Sequence, residues 1–220
     1  MKRFRVLALG LLLSLPFVSA IFADSENTSA SAIVREMNSA RQNPAQYANY
    51  LEELRAQYQG SLLMRPGRIP MRTKEGVRAV DEAIKFLRNA APQSALIFSP
   101  GMSRAAADHC ADQGGGGMSH KGRGGSNTGD RINRYGTWRG TWGENISCGR
   151  VGARETVIAL IVDDGLRSRK HRDNIFSSRF NVAGAAIGSH AQYRTICSIG
   201  FAGGYVENGS AARETLLARN

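Results

Sequence analysis

Apolar positions recur every third or fourth residue along the first half of this chain, and from Glu144 onward they gather into short strand-like runs interrupted by one helix. Ile33, Val34, Met37 and Ala40 predict a first helix. Asn43-Pro44 then reads as a cap followed by proline in the first turn of a second, with Tyr47, Tyr50, Leu51 and Leu54 as its apolar stripe. Residues 59–72 hold Gly60, Pro66, Gly67 and Pro70 without a sustained period and read as a loop. Thr73 is expected to cap a helix burying Val77, Val80, Ile84 and Leu87. Ser99-Pro100 repeats the start signal, and the helix it opens places Met102, Ala105, Ala106, His109 and Gln113 on one side before GGGG at 114–117 ends it. Strands are expected at Glu144 to Cys148, Val182 to Gly188 and Tyr193 to Phe201, and Glu155 to Asp164 reads as a buried helix. Helices on either side of a few strands predict an α+β layered domain.

The first 23 residues change where this domain is expected to work. Lys2, Arg3 and Arg5 precede an apolar run from Val6 to Val18 and small residues at Ser19, Ala20 and Ala23, the three-part plan of a secretory signal peptide. Residues 24–32, DSENTSASA, read as a flexible leader, and 206–220 as a peripheral tail. No other stretch is apolar enough to span a bilayer, so the mature chain is expected to be soluble and secreted or held at the cell envelope. Beyond residue 23 it carries 26 Lys+Arg against 18 Asp+Glu. That excess favours acidic partners such as wall polymers or lipid headgroups, and no nucleic-acid signature accompanies it.

Cys110, Cys148 and Cys197 form no CxxC pair, which argues against a zinc knuckle. In an oxidising compartment one disulfide and one thiol are expected, with three free buried cysteines as the alternative. Cys148 and Cys197, both on expected strands, are the favoured pair.

HExxH, GxSxG and the phosphate-binding GxxxxGK[ST] are all missing. What remains is scattered: His120 in MSHKG, Glu144 in WGENI, Asp163 and Asp164 at a helix end, and His171 in RSRKHR. Each has a plain structural reading; two histidines and two carboxylates converging would instead suit a divalent metal.

Several segments carry a resemblance: LIFSPGMSRAAADH, GGMSHKG, RINRYGTWRGTWGENIS, VIALIVDDGLRSRKHRDNIF and YRTICSIGFAGGY, with IVREMNSARQNPAQYA before them. In this order they resemble the CAP superfamily, also described as SCP/PR-1 or antigen-5 proteins. The resemblance spans roughly Ile33 to Tyr205, with an extra loop and helix near 59–95. It implies an α-β-α sandwich with a small central antiparallel sheet and a cleft holding two histidines and two acids. His120, Glu144 and His171 match three members of that set. The fourth falls on Asp164, with Ile161 where the family's tryptophan stands, and Lys170 replaces a glycine.

Ser168 is expected to cap the short helix of HRDNIF, placing His171 in its first turn beside Arg169, Lys170 and Arg172, whose charges disfavour imidazolium. Arg172 is expected to pair with Asp163 or Asp173, His109 to pack in the interior, and His190 to lie on the surface.

Two functions follow. The first is a secreted binding module using a His/acid-lined cleft and a basic surface for a lipid, glycan or protein. The second is a hydrolase in which His120 and His171 hold a divalent ion such as zinc, Asp164 completes its coordination, and Glu144 acts as general base. A third reading leaves the four residues as a hydrogen-bonded network that binds nothing.

Overall fold

The computed structural model describes residues 30–209. The signal-peptide reading, most of the leader and nearly all of the tail therefore lie outside the described residues. Helices α1 (Ala30–Gln42), α2 (Pro44–Arg55) and α3 (Val77–Asn89) come first, with strands β1 (Tyr58–Gln59), β2 (Leu62–Leu63) and β3 (Met71–Arg72) between the last two. Strand β4 (Ile97–Phe98), helix α4 (Pro100–Gln113), the short α5 (Thr128–Ile132) and β5 (Gly136–Cys148) follow. Helices α6 (Ala153–Val162) and α7 (Lys170–Phe176) precede the hairpin of β6 (Val182–His190) and β7 (Arg194–Glu207).

The main sheet has the order β4-β6-β7-β5, parallel at β4 and antiparallel elsewhere. Helices cover both faces, giving an α-β-α sandwich of the α+β class. Alternation along β7 sorts the two layers. Cys197, Ile199 and Phe201 enter the larger core with residues of α1, α2, α3, α6 and α7. Ala202 joins Met102, Ala105 and Ile132 of α4 and α5 in a smaller cluster on the other face. Helix α4 lies close to the sheet because β6 has glycine beneath it: a Cβ at Gly184 would collide with the backbone of Met102 and Ser103.

Helix α4 starts as expected, with the Ser99 hydroxyl accepting from Met102 N–H at 3.0 Å and Pro100 in the first turn. Other expectations are corrected. Residues 58–72 form a small three-stranded antiparallel meander, not a loop. Thr73 does not cap α3: its hydroxyl donates to Ser61 O, and the helix begins after Gly76. Strand β5 begins at Gly136, eight residues before Glu144, and takes in Gly140, φ 77°, through a register shift between Arg139 and Trp142. The tail is partly integral: Glu207 accepts from Ser99 Oγ at 2.6 Å and from Gly101 N–H, holding the start of α4.

The favoured cysteine pairing fails on register. Cys197 stands opposite Ser147, while Cys148 stands opposite Ile196, so the Cys148 and Cys197 side chains leave opposite faces. All three thiols are free.

Candidate functional site

Strand β5 is an edge of the main sheet, and two histidine–carboxylate pairs flank it. Glu144 stands opposite Gly200 and faces α4; Asn145 stands opposite Ile199 and faces the larger core. One pair hangs on each of these neighbours.

On the α4 side, His120 Nδ1 lies 2.8 Å from Glu144 Oε2. The carboxylate is buried, and its other oxygen receives Arg131 Nη2 at 2.5 Å and Ser198 Oγ at 3.2 Å. Arg131 is itself buried and also donates to the carbonyls of His120 and Ser126. Burial works to raise the pKa of Glu144, but the hydrogen bond with His120 and the charge of Arg131 outweigh it, and the group is held below the ordinary carboxylate value. His109 completes the cluster from α4. It is fully buried, neither ring nitrogen has a hydrogen-bond partner, and Nε2 is 3.7 Å from Glu144 Oε2. Burial holds its pKa below the ordinary value, which favours neutral imidazole.

On the other side, His171 Nδ1 lies 2.7 Å from Asp163 Oδ1, and His171 N–H donates to Asp163 Oδ2 at 3.0 Å. Asn145 donates to the His171 carbonyl at 2.9 Å, and Asn174 donates to Asn145 Oδ1 at 2.8 Å. The asparagines of GENI and HRDNI therefore lock α7 against β5.

The acid beside His171 is Asp163, which corrects the assignment to Asp164. Asp163 ends α6 in the left-handed conformation, φ 53°, and this turns its side chain back toward α7. Asp164 points the other way and accepts from the backbone N–H groups of Lys74 and Glu75, both at 2.7 Å. Leu160, not Ile161, is thus the residue three positions before the acid.

The setting of His171 is corrected too. Arg169, φ 50°, precedes α7 without a side-chain cap, so Ser168 does not cap it and the Asp163 carboxylate does. Arg172 binds Glu82 through two 2.7 Å contacts and donates to Ile161 O at 2.6 Å; it does not pair with Asp163 or Asp173. Arg169 binds Glu75 at 2.6 and 2.8 Å. The two guanidiniums are neutralised by Glu82 of α3 and by Glu75 just ahead of it, and they brace the helix. His190 is buried: Nε2 donates to Gly117 O at 3.0 Å while Nδ1 accepts from Gln192 and Tyr193 N–H.

These residues do not fit a four-ligand metal centre. Asp164 is committed elsewhere, Glu144 already accepts from Arg131 and Ser198 and pairs with His120, and among the described residues no group of three or more His, Cys, Asp or Glu is placed to hold an ion.

A cavity of about 470 Å³ opens beside His171 and Asp163, between the meander, the end of β5 and α6. Leu54, Leu63, Ile146, Ile158 and Leu160 line it with apolar surface, and Arg65, Arg72, Lys74 and Arg150 stand among them. Neither Glu144 nor His120 lines it. Sequence reading missed Arg131, although Asn127 and Asp130 form a capping box that marks its helix.

Residues 34–201 match the family described as the Cysteine-rich secretory protein family, CAP. Among solved structures the chain is similar to an outer surface protein from Borrelia burgdorferi, at 16% identity and TM-score 0.42, covering 50% of this chain and 78% of that one. It is also similar to an extracellular protein containing an SCP domain from Bacillus anthracis, at 18% identity and TM-score 0.41, covering 57% of this chain and 39% of that one. Comparison with curated proteins gives no match.

Proposed function

The chain belongs to the Cysteine-rich secretory protein family, CAP, and we propose that it is an exported binding module whose ligand, a lipid, glycan or protein segment, lodges in the groove beside His171. The observation that carries this reading is the groove itself: about 470 Å³, lined by apolar side chains such as Leu54, Leu63, Ile146 and Ile158 together with charged ones such as Arg65, Lys74 and Arg150. Ligand sites commonly have this make-up. No helix among the described residues is long and apolar enough to cross a membrane.

The hydrolase reading has less support. A general base works best with a pKa near the operating pH and a lone pair free to take a proton. Glu144 is held below its ordinary value, and both of its oxygens already accept hydrogen bonds. The carboxylate reads as the anchor that orients His120 and neutralises Arg131.

The test uses Cys148, which lines the groove and is partly exposed while Cys110 and Cys197 are buried. Thiol labelling of the native protein is followed in the presence of lipid, oligosaccharide and peptide fractions from the cell envelope. At least one fraction is expected to slow labelling of Cys148, and to lose that effect on Ala159→Trp, which fills the groove. A ligand that binds both proteins equally and leaves Cys148 labelling unchanged would remove the groove from the function.

A further inference from the structure

The connection between β2 and β3 projects from the meander. Every residue from Pro66 to Arg72 is exposed, and Ile69 keeps 91% of its surface in solvent. Single exposed apolar residues are common on protein surfaces, so this exposure carries little by itself. The stiffness of the loop and its surroundings add the rest.

Arg68 N–H donates to Arg65 O at 3.1 Å across Pro66-Gly67, and Gly67 has φ 69°. Proline followed by a residue of positive φ is the make-up of a type II turn. Pro70 follows Ile69 and biases it toward extended backbone. Two prolines restrict the loop in advance, so it has little backbone freedom left to lose on meeting a partner.

Ile69 also has apolar company. Met71 stands two residues on, and exposed Met118 and Tyr193 share with it the rim of the cavity. Arg150 Nη1 lies 4.0 Å from Met71 Sδ, and the next residue, Val151, is exposed. Exposed apolar groups gathered in this way mark an interaction surface.

The exposed charge on the loop is positive. Arg68 and Arg72 flank Ile69 and are both exposed. Arg72 makes one 3.3 Å contact, with Ser61 Oγ, and among the described residues no carboxylate lies in its ion-pair range. Glu155, the acid that Arg65 and Arg68 share, is largely buried, with its side chain 15% exposed against 51% for Arg68.

A soluble polyanion would use the arginines and gain nothing from Ile69. An apolar pocket on another protein would use Ile69 and gain nothing from the arginines. An anionic bilayer uses both, because its phosphates take guanidiniums while the boundary beneath them takes aliphatic side chains and the rings of tyrosine.

We infer that the β2–β3 loop is a membrane-docking edge: Ile69 enters the headgroup–acyl boundary of an anionic bilayer, and Arg68 and Arg72 pair with its phosphates. Met71, Met118 and Tyr193 settle at the same level. Nothing in this contact requires the groove to be filled.

The test uses protein purified from the medium or envelope of cells expressing the full chain. It is co-sedimented with vesicles of phosphatidylcholine alone and of equimolar phosphatidylcholine and phosphatidylglycerol, with inorganic polyphosphate as a soluble polyanion. Binding to the anionic vesicles is expected, weakening as salt is raised, with far less binding to the neutral ones. Ile69→Ser should weaken it about tenfold, the scale of one aliphatic side chain leaving water, and Ile69→Leu should restore it. Arg72→Gln should weaken it about fivefold, as for one cation at an anionic surface. Ala159→Trp, which fills the groove, should bind vesicles as the parent does. Thermal melts confirm that each variant is folded.

Anionic vesicles left unbound, or bound equally by the parent, Ile69→Ser and Arg72→Gln, would overturn the proposal. So would polyphosphate binding as tight as vesicle binding with Ile69→Ser altering neither, which would make the partner a soluble polyanion. If Ala159→Trp abolishes vesicle binding while Ile69→Ser keeps it, lipid enters the groove and the loop is not the contact. Failure of the Cys148 protection test alone would remove the groove and leave this contact standing.

Discussion

Asp163 and His171, eight residues apart, meet twice: ring Nδ1 to Oδ1 at 2.7 Å and backbone N–H to Oδ2 at 3.0 Å. One carboxylate thereby orients the imidazole and closes the first turn of α7. Its neighbour Asp164 does the equivalent work for the chain ahead of α3, accepting from Lys74 and Glu75.

The two aspartates are therefore expected to behave differently. Asp163→Asn should disturb the His171 ring, visible as a change in its Nδ1 and Nε2 nitrogen shifts by NMR. Asp164→Asn should leave those signals in place and lower stability by about 0.5–2 kcal/mol, the scale of a lost cap, in chemical denaturation. If Asp164→Asn moved the His171 signals and Asp163→Asn did not, the assignment of the acid would be reversed.

Arg131 and Glu144 are both buried and share a 2.5 Å contact. Arg131→Met leaves the Glu144 charge without its strongest partner and should cost about 3–5 kcal/mol in urea denaturation. The double variant Arg131→Met, Glu144→Leu should cost less than the two single changes added together, because neither charge is then left alone. Strict additivity would mean that the pair does not act as a unit.

Acid should destabilise the fold in two stages. His109 has its pKa lowered by burial, so the unfolded chain binds its proton first, and stability falls as pH drops below the ordinary histidine value of about 6.5. Glu75 is drawn down to about 2, chiefly by its hydrogen bond to Arg169, despite partial desolvation. Its contribution is complete above its ordinary value of 4.5 and is lost as pH falls from there toward 2. Thermal melts from pH 8 to pH 2 should show both declines, and Glu75→Gln should flatten the lower one. An unchanged lower decline in that variant would assign it to other carboxylates.

Mass spectrometry of the unreduced protein is expected to recover no peptide joining Cys148 to Cys197, because the β5–β7 register sends them to opposite faces. Such a peptide in the native, folded fraction would require a one-residue slip of the edge strand. Cys110, whose thiol burial pushes up to about 11, should label slowest under native conditions alongside Cys197.

Much of the layered fold was legible in local signals. Ser99-Pro100 marks α4, and the periodicity of Ile33 to Ala40 and of Val77 to Leu87 marks α1 and α3, because caps and amphipathic stripes act within a few residues. The meander was hidden because each of its strands is two residues long, too short for a period. At the site, the sequence reading set His120, Glu144, His171 and Asp164 in one cleft, whereas the structure pairs His120 with Glu144 and His171 with Asp163. What failed was the choice between adjacent aspartates, decided by a left-handed residue at Asp163, and the partners of Arg172, which come from a helix some ninety residues away. Neither leaves a mark in local sequence.

Arg41 is buried and donates only to carbonyls: Ser94 at 2.8 Å, Ile175 at 2.5 Å and Ser177 at 3.1 Å, with Phe180 at 3.5 Å. It fastens the far end of α7 to α1, while Arg169 and Arg172 fasten the near end to Glu82 of α3. The wall of the groove that carries His171 is thus clamped at both ends. The opposite wall rests on Arg65 and Arg68 reaching across to one carboxylate, Glu155. The meander side of the groove is held to α6 through the single carboxylate of Glu155, so high salt is expected to loosen that side before it affects the helix that carries His171.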